Sequence, residues 1–311
     1  MFIEKIEPTP IQRLSEKLND NKFYIKRDDL IPISFGGNKA RKAILFFEDI
    51  KVKGCDSVVT YGSSSSNHCR IVSNIAASKG LPCYIISPLE TSRPTSNSKM
   101  IHVFGTEVIQ CSVSEVRDTI SKTIEDLRIQ GHNPYFIQGG GHGNIGTQAY
   151  VDAYKEIRDY EKNIDLHFDY IFHTSGTGTT QAGLVCGQLI NGDERQIIGI
   201  SNARRNPYGG QVVLDSVNDY LKTICMSSVN SDLINFIDDY VLDGYGSYND
   251  DIIKTIKHVL VQDGIPMDSI YTGKAYWGMK EYIKKYQING KKILFIHTGG
   301  TPLFFDDLGE L

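Results

Sequence analysis

Short apolar stretches, rich in β-branched and aromatic residues, alternate along this chain with longer segments whose apolar positions recur at helical spacing. The short stretches predict β-strands and the longer segments predict amphipathic helices. The predicted strands cover residues 57–61, 83–87, 107–110, 135–138, 170–173, 196–201 and 293–297. The predicted helices cover residues 39–53, 67–79, 114–130, 144–160, 180–189, 249–262 and 273–286.

This alternation of strands and helices predicts the fold class. It is typical of parallel sheets covered by helices, so we expect a two-lobed α/β protein of three αβα layers with mostly parallel sheets. The glycine-rich stretch at 139–143 is interpreted as a hinge between the lobes. We therefore expect a small domain of residues 45–145 and a large domain made of residues 1–44 together with 146–311.

Composition narrows the class of protein. The 311 residues are 40% hydrophobic and 23% charged, which is typical of a globular chain large enough for two lobes. A net charge of −4 disfavours nucleic acid or an anionic membrane as partner. No apolar run approaches the ~18 residues of a membrane span, and the N-terminus is too polar for a signal peptide. The six cysteines form no Cys-x-x-Cys pair, so we expect no metal site and a reducing, cytoplasmic location.

The loop after the predicted strand 170–173 is suited to one phosphate group. Its glycines allow close approach of the backbone, its hydroxyls and N–H groups can donate to phosphate oxygens, and a helix N-terminus follows. The chain lacks the Gly-x-x-x-x-Gly-Lys-Ser/Thr pattern of a nucleotide triphosphate loop. A flexible turn is the alternative interpretation. The residues of this candidate phosphate loop are Ser175, Gly176, Thr177, Gly178, Thr179 and Thr180.

Lys39 is the candidate nucleophile. Two glycines precede it, a predicted helix follows it, and the basic residues Arg41 and Lys42 are close by. A lone lysine is usually a solvated surface charge, but burial or cationic neighbours lower the pKa of a lysine and make it nucleophilic. Together with a separate loop for one phosphate, Lys39 indicates an aldehyde cofactor that carries a phosphate. Pyridoxal phosphate (PLP), bound to lysine as a Schiff base, fits that description.

A serine-rich loop lies between the predicted strand 57–61 and the next predicted helix. It could be only a polar loop in which Ser66 caps the helix. The functional interpretation makes it a set of hydrogen-bond donors for a substrate carboxylate, close to the cofactor ring. The candidate substrate-binding residues are Ser65, Ser66, Asn67 and His68.

Several separate motifs, in the same order, resemble the D-cysteine desulfhydrase / 1-aminocyclopropane-1-carboxylate deaminase family. These are PLP enzymes of the tryptophan synthase β-like fold type II, and the resemblance covers nearly the whole chain. The motifs are Thr-Pro at 9–10, Tyr-Ile-Lys-Arg-Asp-Asp-Leu at 24–30, Gly-Gly-Asn-Lys-x-Arg-Lys at 36–42, Ser-Asn-His-x-Arg at 66–70, Ser-Gly-Thr-Gly-Thr-Thr-Gln-Ala-Gly at 175–183, Gly-Tyr-Gly at 244–246, Tyr-Thr-Gly-Lys at 271–274 and Ile-His-Thr-Gly-Gly-Thr-Pro at 296–302.

The resemblance implies how the cofactor is held. Lys39 would carry PLP, Asn67 would form a hydrogen bond with the 3′-oxygen of its ring, and residues 176–180 would hold its phosphate. Thr298 would face the pyridine nitrogen. Because a threonine does not keep that nitrogen protonated as a carboxylate would, the ring would be a weaker electron sink, which suits prompt β-elimination.

The resemblance also implies the catalytic residues. Lys39 or Ser66 would move the Cα proton, and Tyr245 and Tyr271 would enter the site from the other lobe to assist the leaving group. We expect the helix that starts beside Tyr271 to ease its ionisation. The implied reaction is α,β-elimination from a small amino acid, giving pyruvate, ammonia and a leaving group such as sulfide. The resemblance also implies a homodimer.

Three departures from the family pattern leave the substrate open. The deaminase branch carries a glutamate where this chain has Thr272, which favours β-elimination over cyclopropane opening. Ser65 replaces the usual glutamine, and Gly-Gly-His-Gly-Asn at 140–144 replaces Gly-Gly-Ser-Asn. The leaving group could also be sulfite, chloride or an amine. The alternatives are a 1-aminocyclopropane-1-carboxylate deaminase, a β-replacement synthase, or a PLP-binding protein without turnover.

Overall fold

The computed structural model describes residues 6–91 and 94–311. Residues 1–5, on which the prediction of no signal peptide rests, and residues 92–93 of the predicted small domain lie outside these ranges. Within them the chain forms ten strands: β1 (Ile11–Arg13), β2 (Lys22–Lys26), β3 (Ser57–Tyr61), β4 (Cys83–Pro88), β5 (Glu107–Cys111), β6 (Pro134–Ile137), β7 (Tyr170–Ser175), β8 (Gln196–Ser201), β9 (Asn235–Ile237) and β10 (Lys292–Ile296).

The same described residues form ten α-helices. None of them is both long and apolar enough to cross a membrane. The helices are α1 (Asn38–Val52), α2 (Asn67–Ser78), α3 (Ser96–Val103), α4 (Val116–Ile129), α5 (Asn144–Asn163), α6 (Thr179–Asn191), α7 (Tyr208–Thr223), α8 (Asp250–Asp263), α9 (Thr272–Lys285) and α10 (Thr301–Asp307).

The strands form two sheets that are almost entirely parallel. The large sheet has the order β1-β2-β10-β7-β8-β9, and in the described chain only the β1–β2 pair is antiparallel. The small sheet has the order β5-β4-β3-β6 and is parallel throughout its described strands. The predicted α/β class with mostly parallel sheets is therefore confirmed.

The seven predicted strands and seven predicted helices are confirmed, with ends shifted by up to three residues. The pattern missed β1, β2, β9, α3, α7 and α10. Two of the missed strands, β1 and β9, have only three residues each, too few to show a period. Helix α7 begins with Tyr-Gly-Gly, and glycines in a first turn are more typical of a loop.

Strand β10 shows why the large sheet is buried on both faces. Ile293 and Phe295 pack into one apolar cluster, while Leu294 and Ile296 pack into a second cluster on the other face. Such a run of consecutive apolar residues is typical of a parallel strand between two layers of helices. The sheet is thus a rigid base for the loops at its carboxyl edge.

Helix α1 connects the two sheets. Its residues Ala40, Ala43 and Phe47 belong to an apolar cluster that also contains Val58 of β3. The division into a small domain of residues 45–145 and a large domain remains a prediction, and its first limit lies inside this helix. The start of α1 lies beside the large sheet, so the helix brings its first turn to the space between the sheets.

Candidate active site

A cavity of about 640 Å³ lies between the sheets, where the loops after β3, β7 and β10 meet. Five of the predicted site residues are buried next to this cavity without lining it: Ser65, Ser175, Gly178, Thr179 and Thr180. The other nine line it: Lys39, Ser66, Asn67, His68, Gly176, Thr177, Tyr245, Tyr271 and Thr298. The structure therefore brings together residues that span 260 positions of sequence, from 39 to 298.

Lys39 lies in the first turn of α1, and the glycine before that helix permits the contact that places it. Gly37 has a φ of +95°, and a Cβ atom there would lie 2.5 Å from the carbonyl oxygen of Thr298. The same carbonyl accepts a hydrogen bond from the backbone N–H of Asn38 at 3.0 Å. Only glycine tolerates both the conformation and the contact, so the start of α1 is fixed against the end of β10.

The Lys39 amine is prepared to act as a nucleophile. Loss of hydration lowers the pKa of Lys39 to about 8; Cys69 opposes this shift and the positive charge of Arg204 adds to it. Its Nζ donates a hydrogen bond to the carbonyl oxygen of Gly140 at 3.0 Å. An amine with this pKa is partly uncharged near neutral pH, as Schiff base formation with an aldehyde requires.

The predicted phosphate loop joins β7 to α6. Gly178 precedes α6 with a φ of +102°, and Thr179 and Thr180 are the first residues of the helix. The first N–H groups of a helix have no partner within it and favour an anion. The side chain of Asn38 donates to the Thr180 hydroxyl at 3.0 Å, which ties the loop to the helix that carries Lys39.

Lys42 was missed as a site residue because the sequence showed it only as a basic neighbour of Lys39. It is 1% exposed, and its Nζ donates to the Thr179 hydroxyl at 2.7 Å. No carboxylate pairs with it in the described chain, and burial followed by the charge of Lys39 holds the pKa of Lys42 well below its usual range. An ammonium in this place needs an anion. The sequence feature that could have revealed Lys42 is its spacing of three residues from Lys39, which places both side chains on one face of a helix.

The glycine stretch predicted as a hinge lies against the site. The Gly140 carbonyl holds Lys39, and the ring of His142 donates from Nδ1 to the carbonyl oxygen of Thr177 at 3.1 Å. Gly140 has a φ of +73°, and a Cβ atom there would lie 2.6 Å from the Thr177 side chain. His142, one of the departures from the family pattern, thus supports the phosphate loop.

Ser66 combines both interpretations of the serine loop. Its hydroxyl accepts a hydrogen bond from the backbone N–H of Cys69 at 3.2 Å, as an N-cap does. It also lines the cavity, at the start of α2, where a carboxylate would meet unpaired N–H groups. Capping and substrate binding are therefore compatible, because a capping hydroxyl still has a proton to donate.

His68 is held as a neutral ring behind the same loop. Its Nε2 lies 2.9 Å from the hydroxyl oxygen of Thr60, whose own proton goes to the carbonyl oxygen of Ile137. Nε2 must therefore be the donor, which leaves Nδ1 without a proton. Burial first, then the charges of Lys39 and Lys42, lower the pKa of His68 well below its usual range, so it stays uncharged.

Tyr245 and Tyr271 meet at the cavity as the resemblance implied. Their hydroxyl oxygens are 2.5 Å apart, and the Tyr245 hydroxyl also lies 3.0 Å from the hydroxyl of Ser65. The pair therefore links the serine loop, which follows the small sheet, to the first turn of α9. A chain of hydroxyl groups in this geometry can donate a hydrogen bond toward a group bound in the cavity.

The expectation that the helix would ease ionisation of Tyr271 is wrong. Loss of hydration, then the neighbouring Tyr245 and the charge of Asp268, raise the pKa of Tyr271 well above its usual range. Asp268 accepts the backbone N–H of Tyr271 at 2.8 Å and so cancels the positive end of α9. Tyr271 is thus a hydroxyl that keeps its proton.

Asp268 is a second residue that the sequence did not indicate. It is fully buried, and burial raises its pKa to about 7. Its Oδ1 accepts both the backbone N–H of Thr272 at 3.1 Å and the Thr272 hydroxyl at 2.9 Å. Thr272 is 0% exposed and does not line the cavity. The position that is glutamate in the deaminase branch therefore points no carboxylate at the substrate.

The charges around the cavity suit an anionic ligand. Among the described residues that line it there is no Asp or Glu, whereas Lys39 and Arg204 are both present. The guanidinium of Arg204 has no hydrogen bond or ion pair in the described chain and lies 5.3 Å from the centre of the Tyr208 ring. No group of His, Cys, Asp and Glu in the described residues could hold a metal ion.

These residues fit PLP. The uncharged amine of Lys39 suits its aldehyde, and the N-terminus of α6 with the unpaired Lys42 suits its phosphate. Thr298, 7% exposed just after β10, lines the same cavity, and its uncharged hydroxyl is compatible with an uncharged ring nitrogen. When bound, PLP would supply an electron sink for a substrate amine.

Known proteins resemble this chain along nearly its whole length. This chain is 33% identical over 304 residues to a putative 1-aminocyclopropane-1-carboxylate deaminase of Pyrococcus abyssi, covering 96% of this chain and 90% of that one. It is 31% identical over 316 residues to a D-cysteine desulfhydrase of Serratia proteamaculans, covering 96% and 92%. A solved structure of a 1-aminocyclopropane-1-carboxylate (ACC) deaminase homologue matches with a TM-score of 0.88 and 29% identity, over 98% of this chain and 93% of that one.

More distant structures show the fold alone. A PLP-dependent aspartate racemase matches with a TM-score of 0.65 at 14% identity, over 96% of this chain and 91% of that one.

The profile of the family described as "Pyridoxal-phosphate dependent enzyme" matches residues 3–299. The tryptophan synthase β-like fold and the PLP cofactor are therefore confirmed, and the chain belongs to this family of pyridoxal-phosphate-dependent enzymes.

Proposed function

We propose that this protein is a lyase that removes a β-substituent from a small amino acid by α,β-elimination. The products are pyruvate, ammonia and the leaving group, as for a D-cysteine desulfhydrase that releases sulfide. One observation carries the proposal: Lys39 lines the same cavity as the hydrogen-bonded pair Tyr245 and Tyr271. A proton acceptor and a pair of hydrogen-bond donors thus lie on one substrate-sized cavity.

Each side chain has a distinct task. The N-terminus of α2 with Ser66 binds the substrate carboxylate. Lys39 accepts the Cα proton of the bound substrate, since its pKa of about 8 allows both states near neutral pH. The C–S bond then breaks, and the sulfur leaves with the bonding electron pair.

The tyrosines assist that departure by hydrogen bonding. The hydrosulfide that leaves cysteine is a weak base, whereas the pKa of Tyr271 is raised well above its usual value. Tyr271 therefore keeps its proton and donates a hydrogen bond to the departing hydrosulfide, and its hydroxyl lies 2.5 Å from that of Tyr245. The sulfur leaves as an anion and takes up a proton from water.

Buried Thr272 supports elimination over cyclopropane opening. Its hydroxyl is bonded to Asp268 and the side chain is fully buried, so this position contributes no second acid or base to the cavity. A deaminase that opens a ring without a β-leaving group must protonate carbon, which needs a stronger acid than the raised pKa of Tyr271 provides.

Product release from a substrate panel tests the proposal. Pyruvate and ammonia are measured with D- and L-cysteine, β-chloro-D- and β-chloro-L-alanine, and 1-aminocyclopropane-1-carboxylate. We expect equal amounts of pyruvate and ammonia from cysteine or chloroalanine of one configuration and no keto acid from the cyclopropane. A deaminase would instead release keto acid from 1-aminocyclopropane-1-carboxylate and from none of the other substrates. Consumption of cysteine only with an added nucleophile would identify a replacement synthase. A yellow protein with no turnover would be a binding protein.

The location and assembly are further parts of the proposal. All six cysteines are free, which supports a reducing, cytoplasmic compartment. We propose a homodimer from the resemblance to the family. Analytical ultracentrifugation of the PLP-bound protein should give twice the chain mass; a monomer that is fully active would contradict this.

A further inference from the structure

Two side chains outside the catalytic set hold Asn67, the residue at the first position of α2. The Oδ1 atom of Asn67 accepts a hydrogen bond from Nδ2 of Asn97 at 2.9 Å and another from Nη2 of Arg70 at 3.4 Å. Asn97 and Arg70 are both 0% exposed. We call these two residues the Asn67 clamp.

The hydrogen bonds fix which end of the Asn67 amide faces the clamp. Nδ2 of Asn97 also donates to the carbonyl oxygen of Ser65 at 2.8 Å, and a carbonyl oxygen can only accept, so the nitrogen of Asn97 cannot lie elsewhere. The guanidinium of Arg70 can only donate. Both neighbours therefore require the oxygen of Asn67, and its Nδ2 lies at the other end of the amide.

That Nδ2 group has no partner in the described chain, while Asn67 itself lines the cavity. An amide nitrogen can donate but cannot accept. The clamp thus determines the polarity of the group that Asn67 offers to a ligand.

Arg70 strengthens this donor. It is a buried cation without a carboxylate partner in the described residues; its Nη1 donates to the carbonyl oxygen of Ser34 at 2.6 Å. Burial lowers the pKa of Arg70 to about 9, which shows how little hydration remains. A charge directed at Oδ1 draws electrons from the amide, so its N–H groups become better donors.

We propose that the clamp of Asn97 and Arg70 is a positioning device that lets Asn67 only donate to the cofactor, and so selects the deprotonated form of the PLP 3′-oxygen. The proposal takes the place of the 3′-oxygen beside Asn67 from the family resemblance. It does not depend on which substrate is eliminated, because its test needs only the bound cofactor.

The protonation of that oxygen has a spectroscopic signature. PLP bound to lysine absorbs near ~420 nm when the 3′-oxygen is deprotonated and near ~330 nm when the oxygen keeps its proton. A donor from Asn67 favours the first form, and an acceptor favours the second. Both bands are measured without substrate or turnover.

The test is Asn97→Asp in the PLP-bound protein. The oxygens of the ionised carboxyl group can only accept, so they repel Oδ1 of Asn67 and favour a flipped amide. We expect the ~420 nm band to fall and the ~330 nm band to rise, with PLP affinity weakened by about 10-fold or more. Should Asn97→Asp not fold, Asn97→Leu removes the donor alone and should weaken PLP binding by a few-fold.

Ser98→Ala is the matched control on the same helix. It removes the hydroxyl that accepts from the backbone N–H of Thr95 at 2.9 Å in the α3 cap, but leaves Asn97 in place. This variant should keep the parental spectrum and PLP affinity. The proposal is overturned if Asn97→Asp, or Asn97→Leu in its place, keeps the parental band and affinity. It is also overturned if Ser98→Ala reproduces the shift.

Discussion

Two sides of the active-site cavity are built differently. The cofactor side consists of Lys39, Lys42 and the phosphate loop at 175–180. It is held by glycine contacts that no other residue tolerates and by buried polar groups, such as Lys42 on Thr179. The substrate side consists of the serine loop at 63–66 and the pair Tyr245–Tyr271. It is held by contacts between hydroxyl groups, and Tyr245 is 41% exposed.

This difference in construction separates the specificity for the cofactor from the specificity for the substrate. A backbone contact within 3 Å cannot be altered by one substitution without strain, so the cofactor side can accept only one ligand geometry. A neutral hydrogen bond between hydroxyls contributes about 1 kcal/mol and can be rearranged. The choice of leaving group can therefore change within the family while the cofactor stays the same.

Two buried lysines provide the strongest test of this division. Lys42 contacts the phosphate loop, whereas Lys274 donates to the carbonyl oxygens of Val241 at 3.1 Å and Gly244 at 3.2 Å, just before Tyr245. We expect Lys42→Met to weaken PLP binding about 100-fold, because it leaves a buried phosphate without its cation. Equilibrium titration of the apoprotein with PLP measures this.

Lys274→Met is the matched control, since it also removes a fully buried ammonium. We expect its PLP affinity to stay within about 3-fold of the parent and its substrate KM to rise about 10-fold, as the loop before Tyr245 loosens. Equal losses of PLP affinity in the two variants would mean that the two sides are not independent.

The second prediction concerns the leaving group. Tyr271→Phe should retain PLP and lose about 10- to 100-fold in kcat/KM for the thiol substrate, the size of a hydrogen bond to a charged group. The loss should be smaller for the corresponding β-chloroalanine, because chloride needs little stabilisation. Parallel kinetics on the two substrates check this. The same loss for both would leave Tyr271 with a packing role only.

Sequence reasoning succeeded where local rules determine structure. The continuous apolar run of β10 and the glycines before Lys39 can each be interpreted without tertiary contacts. It failed for polar residues that the fold buries. From the sequence, Lys42 is expected to be a surface charge and Asp268 an ordinary loop residue, but both side chains are buried. It missed Asn97 because the helix α3 is short and polar, Ser-Asn-Ser-Lys-Met-Ile-His-Val.

The third prediction follows from the pKa of Lys39. Because burial lowers that pKa from 10.5 to about 8, the uncharged amine predominates above pH 8 in the folded protein. We expect the rate of PLP attachment to the apoprotein to rise about 10-fold between pH 7 and pH 9 and then to level off. Stopped-flow absorbance near ~420 nm follows the reaction. A rate that still rises steeply above pH 9 would indicate an unperturbed lysine.

The position of the cofactor is tested most directly by fixing it chemically. Reduction of the PLP-bound protein with borohydride, followed by proteolysis and mass spectrometry, locates the phosphopyridoxyl group. The account predicts the label on Lys39, whose lowered pKa and contact with Gly140 place an uncharged amine in the cavity. A label on Lys42, three residues further along the same helix, would contradict the assignment of the two lysines and with it the cofactor side described above.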